Sequence, residues 1–325
     1  MPIDRLYRSK IIGVGGHLPD KVVTNDDLSK TLNTNDEWIT ERTGIKERRI
    51  VSENDTTSSL GIEAARKAIN NAEINKDDID LIIVATTTPD NTFPATATSI
   101  QSGLGIKKGY AYDVQAVCSG FVFGLELADN SISLGKSNTA LVIGSETFSR
   151  ILDWDDRSTC VLFGDGAGAV VLQSTNEKSQ SLILSNHLHS DGDFKDMLYV
   201  DGGPSTSDNV GFLRMDGSGV FKHAVKKISA TIFEALETNN LSIEDVDWFV
   251  PHQANSRILD SVAKKVGLRN EQIIVTVDKH ANTSAASIPL ALNEAVMNNK
   301  IKKGDIVLLA AMGGGFTWGS SIIRW

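Results

Sequence analysis

Cysteine is nearly absent from this chain: two thiols, Cys118 and Cys160, stand among 325 residues. Two cysteines cannot build a disulfide framework, so stability must come from a packed core, and a reducing compartment is expected. Long apolar runs are also missing. The longest, such as "LIIVA" and "IVLLAAM", have the length of strands, far below the ~20 residues that span a bilayer. The first twenty residues hold no extended apolar stretch of a secretory signal, which predicts a cytoplasmic protein. Positive charge is in deficit: 32 Lys and Arg against 41 Asp and Glu give a net charge of −9. That balance excludes nucleic acid as a bulk partner, because phosphate binding needs a basic footprint.

What is present is alternation. Continuous apolar strands, "IDLIIVAT" (79–86), "TALVIGSE" (139–146) and "DIVLLAAM" (305–312), alternate with amphipathic helices, the pattern of an α/β protein whose sheets are buried on both faces. The pattern also repeats. "NAEINKDDIDLIIV" (71–84) resembles "TNNLSIEDVDWFV" (238–250), with Asp80 and Asp247 167 residues apart. Each copy follows an amphipathic helix and precedes a second helix. A short strand ending in Asp comes next, "GYAYD" (109–113) in one copy and "IIVTVD" (273–278) in the other. Cys118 lies five residues beyond the first Asp and Asn282 four beyond the second, so equivalent loops of two similar halves carry different chemical groups.

Cys118 falls between a strand and a helical stripe formed by Phe121, Leu125, Ala128 and Ile132. A thiol at a helix N-terminus meets unpaired N–H groups and the positive dipole end, which predicts a lowered pKa and a reactive thiolate; a small buried filler is the other reading. Cys160, in a strand-like run, reads as packing. Of six histidines, His252 stands just beyond a buried strand, where active groups of α/β proteins collect. His187 and His189 alternate along a strand-like stretch without further metal ligands and read as surface residues. Asn282 suits a helix N-cap by residue type alone, and gains chemical meaning only beside Cys118 and His252. "GVGG" (13–16) lacks the third glycine of a dinucleotide fingerprint. "MGGGFTWGS" (312–320) follows a buried strand, so its N–H groups are candidates for an oxyanion hole.

"QAVCSGF", "PHQAN", "HANTSAASIPLAL", "DRSTCVLFGDGAGA", "NDEWITERTGIKERR" and the C-terminal "GGGFTWGSSIIRW" together resemble the β-ketoacyl-acyl-carrier-protein synthase III family. The motifs run over essentially the whole chain in order. The resemblance implies a thiolase-like α/β fold of two duplicated halves in five α-β-α-β-α layers, residues 1–174 carrying the cysteine and 175–325 the histidine and asparagine. It implies decarboxylative condensation of a short acyl-CoA, most commonly acetyl-CoA, with malonyl-acyl carrier protein, starting fatty acid synthesis. Cys118 would be the nucleophile and His252 and Asn282 the donors to the malonyl thioester, with the Cys118 and Gly314 N–H groups as a second oxyanion hole. No metal and no redox cofactor is implied, coenzyme A entering only as substrate.

In the same family, positions matching Trp38, Arg42, Arg157 and Asn255 line the coenzyme A tunnel; a salt bridge from Arg157 to Asp153, Asp155 or Asp156 is the competing account. Positions matching Lys222, Arg257 and Lys264 dock the acyl carrier protein, although solvated helix faces look alike. Phe93 matches the loop that reaches the partner's acyl pocket across a homodimer, and Met312 stands where several relatives carry Phe, so the two would set pocket size. A related polyketide-type condensing enzyme and a non-catalytic carrier-binding scaffold are the alternatives. A scaffold would have no need of the three chemical groups.

Overall fold

The computed structural model describes residues 7–176 and 181–325. Its strands are apolar on both sides because each sheet is sandwiched. Along Leu81–Ala85, Leu81 and Ile83 enter one core cluster while Ile82 and Val84 enter another.

The first sheet holds β1 (Arg8–His17), β2 (Leu81–Ala85), β3 (Tyr110–Val114), β4 (Thr139–Glu146) and β5 (Gly166–Thr175), in the order β1-β5-β4-β2-β3. β2 runs parallel to β3 and β4, and β5 antiparallel to β4 and β1. The second holds β6 (Leu182–Ser190), β7 (Trp248–Pro251), β8 (Ile306–Gly313) and β9 (Thr317–Arg324), in the order β7-β8-β9-β6. Here β7 is parallel to β8, and β9 is antiparallel to β8 and β6. Read from β6, the four strands of the second sheet repeat the order of β1, β5, β4 and β2, and the counterpart of β3 is missing.

The helices are α1 (Asp36–Thr43), α2 (Thr57–Asn71), α3 (Thr96–Leu104), α4 (Gly120–Ser133), α5 (Gly217–Thr238), α6 (Ser256–Val266) and α7 (Ser287–Met297), with shorter turns between. α4 and α7 form the middle layer. Phe121, Leu125, Ala128 and Ile132 of α4 and Ile288, Ala291, Leu292 and Ala295 of α7 share one core with residues from both sheets. α2 and α3 cover the outer face of the first sheet, α5 and α6 that of the second, each with a separate apolar cluster. The five α-β-α-β-α layers follow. The repeat is metrical as well: α4 and α7 begin 167 residues apart, and so do β4 and β8.

Three sequence expectations need correction. "IIVTVD" forms no full strand: Ile273 makes a single parallel bridge to Phe249, and a short helix, Val277–His280, follows. The buried Gln253 takes the missing neighbour's role. Its Oε1 accepts from the Thr276 and Val277 N–H groups at 2.7 and 3.1 Å, while its Nε2 donates to the Ile274 carbonyl at 2.9 Å. Cys160 lies in a turn rather than a strand, though it is buried in the cluster of Phe148 and Phe163 as packing requires. His187 is no surface residue. It and His189 converge on Glu234, at 3.4 and 2.6 Å, and its side chain is only 10% exposed. "GVGG" lies inside β1 and opens no phosphate loop. No described helix is long and apolar enough to cross a membrane.

Candidate active site

Parallel strands deliver their C-terminal ends to one edge of a sheet, and here both halves deliver to the same place. β3 ends at Val114, a tight turn over Val117–Ser119 follows, and α4 starts at Gly120. Cys118 sits in that turn, 4% exposed. Val117 beside it has φ of +49°, a left-handed conformation that a β-branched residue adopts only under strain. From the other half, β7 ends at Pro251 and His252 follows, buried. Asn282 comes from the loop before α7. Ala281 and Ser284, flanking it, also have positive φ, +56° and +48°. Three strained non-glycine residues thus surround the convergence point.

Cys118, His252, Asn282 and Met312 line one cavity of about 480 Å³ that opens past Trp38, Arg42, Asn255 and Arg257. Asn282 and Cys118 share equivalent loops but not equivalent positions. At the 167-residue spacing Cys118 corresponds to Ala285, and Asn282 to Gln115.

Each polar group is fixed by its own surroundings. The Asn282 Oδ1 accepts from the Ser284 N–H at 2.9 Å, which turns the amide so that Nδ2 remains the free donor. Its backbone bridges to Phe163, with the Asn282 N–H donating to the Leu162 carbonyl. Asn282 therefore does not cap α7. Burial pulls the His252 pKa down to about 3, so the ring is neutral at pH 7, with its Nδ1 buried and unpaired among the described residues. The expectation of a depressed thiol pKa is not met. Burial pushes Cys118 up to about 12, the Ser284 hydroxyl draws it down, and the Glu146 carboxylate adds to the rise. Desolvation of the thiolate outweighs the favourable end of α4.

Glycines admit the Cys118 turn. A Cβ on Gly313, at the end of β8, would lie 2.6 Å from the Cys118 backbone nitrogen, so no side chain fits between that strand and the turn. Gly314 follows in the same loop, beside Leu198.

At the cavity mouth, Asn35 caps α1 through the Trp38 N–H. The guanidinium carbons of Arg42 and Arg157 lie 4.6 and 4.9 Å from the Trp38 ring centre, a cation–π arrangement. Arg157 donates to the Asn33 carbonyl, while Asp153 pairs with Arg214 at 3.1 Å. Stacking on Trp38 and the Asn33 carbonyl hold Arg157, with no aspartate bridge among the described residues. The Asn255 Nδ2 donates to the Arg42 carbonyl at 3.2 Å and its Oδ1 caps α6, tying this side of the cavity together. Lys222 on α5 and Arg257 and Lys264 on α6 are exposed on adjacent helices, and only Arg257 reaches the cavity lining. Phe93 is 82% exposed and does not line its own chain's cavity.

Sequence reading overlooked Glu146 and Ser284. Glu146 ends β4 fully buried, accepting from Thr86, Thr87 and Thr88, and burial lifts its pKa to about 7. A signal for it existed: it is the one acid in the apolar run "TALVIGSE". His280, close in sequence, is buried near Glu294 and does not line the cavity. Among the described residues no group of three or more His, Cys, Asp or Glu is placed to hold a metal ion.

Residues 112–192 match the family model described as 3-oxoacyl-[acyl-carrier-protein] synthase III, and residues 236–325 match its C-terminal counterpart. The β-ketoacyl-[acyl-carrier-protein] synthase III of Paramagnetospirillum magneticum is 58% identical over 322 residues, 98% of this chain and 99% of that protein. That of Rhodospirillum centenum is 58% identical over 320 residues, with 98% and 99% covered. The crystal structure of the 3-oxoacyl-[acyl-carrier-protein] synthase III from Aquifex aeolicus superposes with a TM-score of 0.93 at 46% identity, covering 98% of this chain and all of that one. With its two half-folds meeting at one buried thiol, and with relatives of this similarity matched end to end, the chain belongs to the β-ketoacyl-[acyl-carrier-protein] synthase III family of condensing acyltransferases.

Proposed function

We propose that Cys118, His252 and Asn282 carry the family's condensation of an acyl-CoA with malonyl-acyl carrier protein, as two half-reactions at one cavity. The observation that carries the reading is the convergence of these three side chains on one mainly apolar cavity below the Trp38 mouth. Residues 1–174 supply the nucleophile and residues 175–325 the neutral donors.

In the first half-reaction Cys118 attacks the acyl thioester, and the oxyanion formed faces the Cys118 and Gly314 N–H groups. Coenzyme A leaves past Trp38, where Arg42 and Arg157 offer both a stacking plane and phosphate-binding forks, with Asn255 on the tunnel wall. In the second, malonyl-carrier protein brings its thioester oxygen to His252 and Asn282. As carbon dioxide departs, negative charge grows on that oxygen, and two fixed donors stabilise it, each worth ~3–4 kcal/mol in comparable sites. The enolate carbon then attacks the acyl-cysteine. A neutral imidazole suits this step, because a cation would attach the malonyl carboxylate in the ground state and oppose its loss. No redox cofactor enters either half-reaction.

Lys222, Arg257 and Lys264 face solvent beside the tunnel and suit an acidic carrier protein, which a chain of net charge −9 must meet through a local patch. Phe93, 82% exposed on the segment after β2, would close a partner copy's acyl pocket in a homodimer, with Met312 lining the chain's own cavity. A bulky Phe93 favours a short primer such as acetyl. The test is purified protein with a panel of labelled acyl-CoAs and malonyl-carrier protein, following β-ketoacyl product and carbon dioxide. Product with acetyl-CoA, absent in Cys118→Ala, is expected; no product and no label on Cys118 would return the chain to a scaffold role.

A further inference from the structure

Cys118 has a proton to lose before or as it attacks, and the condensation ends by releasing the same sulfur. Burial keeps that proton on the thiol, its pKa at about 12, so the ionised form is not waiting in the free protein. His252 is a poor acceptor, since burial has drawn its pKa to about 3. A better-matched group lies on the other side of the sulfur.

We infer that Glu146, acting through the Ser284 hydroxyl, takes the Cys118 proton during acylation, holds it while the acyl group is on the enzyme, and returns it when the sulfur is released. The inference rests on the reading that Cys118 accepts the acyl group. Three placements carry it. Glu146 is fully buried at the end of β4 with no cationic partner among the described residues, unusual for a carboxyl group that only packs. It is oriented by the Thr87 N–H at 3.1 Å and by the Thr88 N–H and Oγ1 at 3.2 and 2.6 Å. The turn Ser284–Ala286 packs against both the Val117–Ser119 turn that holds Cys118 and the strand β4 that ends in Glu146, and its Ser284 hydroxyl is buried with no other hydrogen-bond partner among the described residues; it lowers the pKa of both groups. A serine hydroxyl donates and accepts at once, which a relay between a thiol and a carboxylate requires.

The surroundings leave little else to take the proton. Cys118, on the turn before α4, feels the Glu146 charge directly, and His252 after β7 lines the same cavity as Cys118. Asp90 accepts from the Ser58 N–H, Asp113 from the Thr96 and Ala97 N–H groups, and Asp165 from Ser149 and Val51, each occupied by its own segment. Burial lifts Glu146 to about 7, between the extremes of a free carboxylate and the thiol, so it can both accept and return a proton near neutral pH.

The balance closes. As the Cys118 S–H bond breaks, the sulfur–acyl bond forms and the proton passes through Ser284 to Glu146. The acyl bond to coenzyme A then breaks, and the departing thiolate takes its proton from solvent at the tunnel mouth. Decarboxylation leaves an enolate, whose attack expels Cys118 as a thiolate. Glu146 protonates that thiolate by the same route. The overall reaction consumes one solvent proton, and Glu146 finishes as it began.

The test is rapid-quench transfer of labelled acetyl from acetyl-CoA to Cys118 between pH 5.5 and 8.5, in the wild type, Glu146→Gln, Glu146→Asp and Ser284→Gly. Glycine suits the positive φ at 284. The wild-type rate should rise to a plateau through a transition near pH 7. Glu146→Gln should fall about 10²-fold at pH 7.5 and lose that transition, its rate rising steadily with pH instead. Glu146→Asp should recover part of the rate with the transition displaced, and Ser284→Gly should resemble Glu146→Gln. Coenzyme A binding, read by Trp38 fluorescence, reports whether a variant's site is intact; if Glu146→Gln loses it, Ser284→Gly decides. A variant slowed equally at every pH, or one keeping the wild-type transition, would make Glu146 an anchor for Thr86–Thr88 and overturn the inference. A wild type that takes no acetyl group would instead sink the functional reading itself, and this inference with it.

Discussion

At the end of β4 stands Glu146, and 167 residues later, at the end of β8, stands Gly313. The strands are counterparts, flanked by counterpart helices, yet one ends in a buried acid and the other in a residue with no side chain. The first half uses its strand ends to place Cys118 and the acid behind it. The second uses its ends to make room, Gly313 yielding to the Cys118 turn, and to bring up the uncharged His252 and Asn282, the donors of the proposed condensation. β3 has five residues, while its counterpart shrinks to one bridge at Ile273 with Gln253 completing the edge. Duplication kept the scaffold and let the loops part ways.

If the division of labour is real, substitutions in the two halves should fail at different steps. Cys118→Ala should lower both acetyl labelling and β-ketoacyl product by at least about 10³-fold, measured by rapid quench and product chromatography. Asn282→Ala should acylate within about threefold of the wild type while carbon dioxide release falls by roughly 10²–10³-fold. Equal losses of both steps in Asn282→Ala would break the comparison.

Much of this was visible in the sequence. The repeat, the alternating elements and the α4 stripe follow from periodicity and burial, and periodicity survives folding because each strand faces a core on both sides. Cys118 and His252 could be read because strand ends collect chemistry in α/β folds. The fate of "IIVTVD" could not, because it turned on a distant side chain, Gln253, outbidding a strand partner for the Thr276 N–H. The Cys118 pKa was misjudged for a similar reason. A helix terminus is local and legible, whereas desolvation depends on everything packed around the sulfur. Ser284 has no sequence signature at all; only the packing of its turn against both the Cys118 turn and β4 gives it meaning.

Smaller effects sharpen the contrast between mouth and floor. Arg157→Ala should raise the KM for acetyl-CoA about 5–20-fold with kcat within twofold, since Arg157 touches the Trp38 face and not the reacting atoms. Acid stability separates the halves differently. His252 and His280 have folded pKa values of about 3 and 4, below the ordinary histidine value, so the unfolded chain gains protons first as pH falls below 6.5 and stability drops toward pH 4. Glu146 works the other way: with a folded pKa of about 7, its contribution is present below the ordinary glutamate value and is lost as pH rises through 7. His252→Gln should therefore lose less Tm than the wild type between pH 6.5 and 4.5, by at least about 2 °C in calorimetry. Least of all, Lys264→Glu should raise the KM for malonyl-carrier protein about 2–4-fold at low salt and not at high salt, because the charge is exposed.

Gly144, inside β4, carries a further consequence. A side-chain carbon there would overlap the Ala285 carbonyl just before α7, so the first half's sheet receives the second half's backbone directly. A surface shaped for bare backbone has no substitute cover. If the ancestral half once stood alone or paired with a copy of itself, this chain has since lost that freedom: cut at its midpoint, each fragment would present a groove that only the other can fill. The duplication has become a one-way inheritance, and the two halves must now change in step.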